Sequence, residues 1–166
     1  MRTPEFWIEQ LRLQPHPEGG YYRETYRARE EVPPEGLPVR FKGHRSVSTA
    51  IYFLLTAKDR SLLHRIKSDE VWHFHYGDPL NIFVLSSRGL VTYTLGPDPE
   101  KGEDLQVIVP ANHWFGAATA KDGAYTLASC TVAPGFDFRD FEMADRSELL
   151  IEYPAEKDII TRLTKS

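Results

Sequence analysis

At 166 residues the chain has the size of one domain and can bury a real core. Its 20 Lys and Arg stand against 24 Asp and Glu, a net charge of −4 with the signs interspersed, which leaves no basic surface for nucleic acid. The single cysteine, Cys130, excludes an internal disulfide framework and a thiolate-rich zinc site.

The start, Met1 to Trp7, soon meets Glu9, Gln10 and Arg12, so it lacks the apolar region of a signal peptide, and no run is long enough to span a bilayer. The expectation is one domain over residues 1–166, cytoplasmic, without membrane or nucleic-acid partners. Thr3 before Pro4 opens a short helix to about Leu11, because a hydroxyl caps free amides and proline needs no donor there. Pro15-His16-Pro17-Glu18-Gly19-Gly20 cannot continue it and reads as a turn or connector. Tyr21 to Arg27 reads as a strand, with Tyr22, Glu24 and Tyr26 on one side and Tyr21, Arg23, Thr25 and Arg27 on the other.

Glu30 to Gly43, rich in Pro and Gly, is a loop and a candidate flap. Ser46 to Leu55 and Ser61 to Ile66 are strands, and Ser68-Asp69 separates the second from Glu70 to Tyr76. Strand alternation over His64 to Gly77 points His64, Glu70 and Trp72 to one face and Val71, His73 and His75 to the other. Leu80 to Leu85 and Leu90 to Leu95 form a hairpin around Ser87-Arg88-Gly89. Leu105 to Val109 is a strand, Pro110-Ala111-Asn112 turns it into His113-Trp114-Phe115, and Ala124 to Val132 is a further strand. Phe136 to Phe141 is an aromatic stretch suited to a lid or plug. Ile159, Ile160 and Leu163 sit at helical spacing in a C-terminal helix from Pro154 to about Leu163. Many short strands with helices only near the ends mean an all-β barrel or sandwich.

His64, Glu70 and Gly77 stand at the spacings of the first cupin motif, glycine, five residues, His-x-His, three or four residues, Glu, six residues, Gly. Ile66 stands at the second histidine position and Lys58 at the leading glycine. The second motif, Pro-x-Gly-x-x-His, maps onto Pro110 to Phe115, with Asn112 for glycine and Phe115 for histidine. His-Pro-Glu-Gly-Gly-Tyr (16 to 21), Ser-Asp-Glu-Val-Trp-His (68 to 73), Val-Pro-Ala (109 to 111) and Cys-Thr-Val-Ala-Pro-Gly-Phe (130 to 136) resemble more closely a cupin branch catalogued as a domain of unknown function. The resemblance implies a double-stranded β-helix, or jelly-roll, barrel with short N- and C-terminal helices, pairing as a homodimer.

Three readings of its cavity follow. Cupins commonly hold a metal through His, His, Glu and His, but a divalent ion needs several donors at ~2.0 to 2.2 Å, and Ile66 and Phe115 are hydrocarbon. No cofactor is therefore expected beyond a weakly held divalent ion. The second reading, like the superfamily's metal-free sugar-nucleotide epimerases, is acid/base chemistry on a small polar, sugar-like or nucleotide-like molecule. His64 is then the base, Glu70 its partner, Tyr52 the acid and Trp72 a stacking wall. Phe115 joins the ligand-contacting set, and the Tyr21 to Arg23 segment covers the pocket. The third reading is a non-catalytic or storage-like binding module. Cys130, Trp114 and the Phe136 to Phe141 aromatics read as packing, His113 follows a turn beside an exposed edge, and His16 either helps close the pocket from the N-terminal segment or is solvated.

Overall fold

In a computed structural model, which describes residues 2–122 and 124–165, antiparallel strands dominate and helices sit at the two ends. In chain order these are α1 (Pro4–Gln10), β1 (Gln14–Pro15), β2 (Tyr21–Arg27), β3 (Glu31–Val32), β4 (Arg45–Ser46), β5 (Thr49–Thr56), β6 (Ser61–Arg65) and β7 (Asp69–Gly77). There follow β8 (Leu80–Ser86), β9 (Gly89–Leu95), β10 (Gln106–Val109), β11 (Trp114–Thr119), β12 (Tyr125–Ala133), β13 (Glu142–Met143), α2 (Arg146–Glu152) and α3 (Lys157–Arg162). A six-stranded sheet, β1-β2-β5-β12-β7-β10, faces a five-stranded sheet, β13-β6-β11-β8-β9, and β3 pairs with β4 at the side. This is an all-β sandwich, as the strand pattern predicts, with the jelly-roll architecture that the family resemblance implies. No helix among the described residues is long and apolar enough to cross a membrane.

The space between the sheets is filled at one end by Phe53, Leu55, Trp72, Ile82, Val84 and Phe115 and their neighbours, all nearly inaccessible. Their burial supplies most of the driving force, at roughly 25 cal/mol for each Å² of apolar surface removed from water. The outer faces are capped separately. Against the six-stranded sheet, α1 lays Trp7, Ile8 and Leu11 over Leu54, Tyr125 and Leu127. Its start is as expected, with Thr3 Oγ1 accepting from the Phe6 amide at 3.3 Å and proline in the first turn. Against the five-stranded sheet, Leu149, Ile159, Ile160 and Leu163 cover Leu63, Leu85 and Trp114.

Three departures from the sequence reading matter for the cavity. Strand β2 carries a bulge, since Glu24 pairs with Ile51 and Tyr26 with Ala50, leaving Thr25 extra. Beyond it the alternation reverses, so Arg27 joins Tyr22 and Glu24 on the inward side, where Tyr26 was expected. Helix α2, capped by the Asp145 carboxylate accepting from the Glu148 amide, lies where no helix was read. Strand β11 continues past Phe115 to Thr119 through Gly116-Ala117-Ala118, small residues that let the two sheets and the C-terminal helices close tightly.

Candidate functional site

One end of the barrel stays open as a cavity of about 480 Å³. Its apolar walls are Ile51, Ile66, Val132 and Cys130, and Tyr22, Phe136 and Phe138 stand at its mouth. Its polar groups come from three places. Strands β6 and β7 supply His64 and Glu70, the turn before β2 supplies His16 and Glu18, and the strand beyond that turn supplies Glu24 and Arg27. Both are more than nine-tenths buried, but they do not share one face as the spacing predicts: β6 ends at Arg65, so His64 looks in from the five-stranded sheet and Glu70 from the six-stranded sheet that faces it.

His64 is held at both nitrogens. Nδ1 lies 2.7 Å from the Leu62 carbonyl oxygen, which can only accept, so Nδ1 carries a hydrogen and donates it. Nε2 lies 2.9 Å from Glu18 Oε2, and one proton is shared across that contact. Burial disfavours the imidazolium, but the charge and hydrogen bond of Glu18 outweigh it and His64 titrates above its usual 6.5. In Glu18, likewise, the pull of burial toward the neutral acid is overcome by His64, whose charge and hydrogen bond bring the carboxyl below 4.5. Ser61 Oγ donates a further hydrogen bond to Glu18 at 2.9 Å. The pair is therefore an imidazolium and a carboxylate, mutually satisfied inside the protein.

Glu70 has no such partner. Among the described residues it completes no ion pair and no hydrogen bond of ordinary length. The Trp72 indole N–H is buried nearby without a hydrogen-bond acceptor. Burial, helped by the charge of Glu18 and opposed by His64, raises the Glu70 carboxyl from 4.5 to about 7. The Cys130 thiol and the indole favour its charged form only weakly. Two carboxyl groups in one cavity are thus driven apart, one ionised throughout the neutral range and one titrating within it.

The turn that brings Glu18 inside depends on two glycines. Gly19 has φ of +108°, and a Cβ there would sit 2.0 Å from the Arg60 carbonyl oxygen. At Gly20, φ is +75° and a Cβ would sit 2.8 Å from the Leu54 carbonyl oxygen. Only glycine lets the turn press this closely on β5 and the start of β6. His16 Nδ1 accepts from the Glu18 amide at 3.1 Å, which holds the imidazole neutral, and burial lowers its pKa despite the nearby Glu18 charge. Of the two places open to His16, solvent or the wall of the pocket, the structure has the second: it lines the cavity and packs edge-on to Tyr22 with ring centroids 4.5 Å apart.

Other expected site residues lie elsewhere. Tyr52 sits on the opposite face of β5, with its ring 6.0 Å from His75, and packs with the cluster under α1. The physical reason is parity: Thr49, Ile51, Phe53 and Leu55 face the interior, so Tyr52 cannot. Tyr21 and Arg23 share that outer face for the same reason, and the inward residue of the segment is Tyr22. Trp72 and Phe115 are 1% exposed in the core and do not line the cavity. Phe115 nonetheless packs on His64, their rings 4.2 Å apart. Glu18 was missed as a site residue. Its signal was an acid immediately before two glycines.

The stretch after β12 closes part of the mouth, as a lid or plug would. Asp140 is buried and accepts two hydrogen bonds from Arg45, at 2.6 and 2.7 Å, while the Phe136 amide donates to Thr49 Oγ1 at 2.8 Å. Phe138, at 53% exposure, is left facing the opening.

The donors do not fit a resident metal of the cupin kind. Ile66 and Phe115 offer no lone pair, both nitrogens of His64 are engaged, and no three His, Cys, Asp or Glu side chains among the described residues converge on one point.

Residues 5–144 match the model of the cupin superfamily (DUF985). No curated protein matches the chain. Among solved structures it is similar to a hypothetical protein from Leishmania major, 39% identical with a TM-score of 0.90, over 99% of this chain and 100% of that one. It is similar also to a protein from Shewanella oneidensis, 38% identical with a TM-score of 0.88, over 99% of both chains. Oxalate decarboxylase from Bacillus subtilis, at 15% identity and a TM-score of 0.53 over 90% of this chain and 36% of that one, shares the fold alone.

Proposed function

The chain belongs to the cupin superfamily, and from that premise we propose that its barrel binds a small polar molecule and exchanges a proton with it at Glu70. The observation that carries this reading is a carboxyl group, unpartnered and titrating near neutrality, beside a charged His64–Glu18 pair in one cavity. A base that is half ionised at working pH and an adjacent positive charge that stabilises the anion left on the ligand are what isomerase- or epimerase-type chemistry requires. Glu70 is the acceptor, the charge of His64 stabilises that anion, and Glu18 holds His64 charged. Binding without turnover is the second reading, favoured by the position of Tyr52, the expected acid, on the outer face of β5 and away from His64. The exposed Leu105 and Ile108 beside β7 support a homodimer through the outer face of the six-stranded sheet, measurable by light scattering. The single buried thiol suits a reducing, cytoplasmic setting.

Native mass spectrometry of the purified protein tests the binding. A co-purified small molecule is expected, with occupancy lost in Glu70→Gln and His64→Gln. Incubation of that molecule in heavy water then separates the readings. Deuterium entering a carbon position with the native protein but not with Glu70→Gln supports proton transfer, and bound ligand without incorporation supports binding alone. Occupancy unchanged in both variants would refute the proposal.

A further inference from the structure

The charges of the cavity can be paired off, and one is left over. His64 is matched by Glu18 at 2.9 Å. Arg27 is matched by Glu24, through two hydrogen bonds of 2.9 and 2.8 Å, and also donates to the Phe136 carbonyl oxygen. Asp137 is matched by Arg139, which also makes two hydrogen bonds to it. His16 is held neutral by the amide it accepts from. Among the described residues that line the cavity, Glu70 alone is without a counter-charge, at 8% exposure. No cation among them is free to receive a phosphate or carboxylate, and an anion would lie against Glu70 and Glu18 in a poorly screened space.

Resting on the reading that the barrel binds a small molecule at this cluster, we propose that its ligand is an organic nitrogen base, an amine or basic heterocycle, whose protonated nitrogen docks on Glu70. Such a ligand supplies the counter-charge the protein withholds and satisfies a buried acceptor that the Cys130 thiol and the Trp72 indole support only weakly. The aromatic faces of Tyr22, Phe136 and Phe138 at the mouth are favourable surfaces for a cation.

Three probes of matched size decide it: benzylamine, benzyl alcohol and benzoate. Each is titrated near pH 8, where Glu70 is ionised, while the methyl resonances of Ile51 and Ile66 are followed by NMR. Benzylamine is expected to bind at least about tenfold more tightly than the alcohol. Benzoate is expected to bind most weakly. Glu70→Gln is expected to bring benzylamine to the level of the alcohol while leaving the alcohol unchanged. Benzoate binding best, or benzylamine unaffected by Glu70→Gln, would overturn the nitrogen-base assignment and leave the binding reading standing. No shift of either methyl with any probe at millimolar concentration would overturn both.

Discussion

Glu70 converts a local electrostatic defect into a property that can be measured on the whole protein. Its folded pKa is raised, so the folded state holds the proton more firmly than the unfolded chain does. The cost is absent below the unfolded value of 4.5, grows as pH rises, and is complete above about 7. At about 1.4 kcal/mol for each pH unit, this amounts to about 3 kcal/mol. Glu70→Gln is therefore expected to be more stable than the native protein at pH 8, by about 2 to 3 kcal/mol, and close to it at pH 4, as read by urea unfolding. The His64–Glu18 pair behaves in the opposite sense at its acidic partner. Glu18 is lowered, so its contribution is present above 4.5 and lost as pH falls, whereas that of His64, raised, is present below 6.5 and lost as pH climbs through its folded value. Glu18→Gln removes the charge that offsets the burial of His64. The imidazole is then expected to titrate below its ordinary value in a carbon-detected NMR titration. At pH 6 the variant should lose about 3 kcal/mol, as for one broken member of a buried pair.

At the scale of single elements, the turn ahead of β2 controls whether the cluster exists at all. The Glu18 carbonyl oxygen accepts from the Leu62 amide at 2.8 Å, tying the turn to the strand that carries His64. Gly19→Ala places a methyl group against the Arg60 carbonyl, so the backbone must move. It is expected to cost more than 2 kcal/mol and to release Glu18 from His64. Gly102→Ala is the matched control, because Gly102 also has positive φ, +77°, but a Cβ there meets nothing within 4 Å. Only the conformational penalty of about 1 kcal/mol is expected. Comparing unfolding midpoints and the His64 titration of the two variants checks both statements. A bulge in β2 acts at the same scale: one surplus residue, Thr25, carries Arg27 round to pair with Glu24 at the mouth.

Across the whole molecule, stability is divided between the interior of the barrel and the two caps on its outer faces. Ile160 is fully buried between the C-terminal helices and the five-stranded sheet, while Ile151, one helix earlier, is 82% exposed. Ile160→Ala is expected to cost about 3 kcal/mol and Ile151→Ala less than about 0.5 kcal/mol, measured by denaturant unfolding. Equal effects would mean that the helices contribute nothing to the fold's cooperativity. The C-terminal cap covers the sheet that carries His64, so its loss should also disturb the cavity, although no residue of α2 or α3 lines it.

Much of this was legible from residue order. Period-two alternation allows only one answer for Glu70 and Trp72, which share β7, but His64 stands on β6 in the facing sheet, so its outlook on the same hollow comes from how the two sheets stack and not from the six-residue spacing. The same rule fails for Tyr52, because Ala50-Ile51-Tyr52-Phe53-Leu54-Leu55 is apolar on both faces, one sealed by the barrel core and the other by α1, so nothing in the run distinguishes inside from outside. The turn at Gly19 and Gly20 announces a close approach of backbone but not to what. By itself, then, the sequence determined the barrel and the face that Glu70 shares with Trp72. Only the tertiary structure decided that Glu18 reaches His64 and that Glu70 is left without a counter-charge, because both depend on which distant segments meet, and pairing across a fold leaves no mark in local spacing.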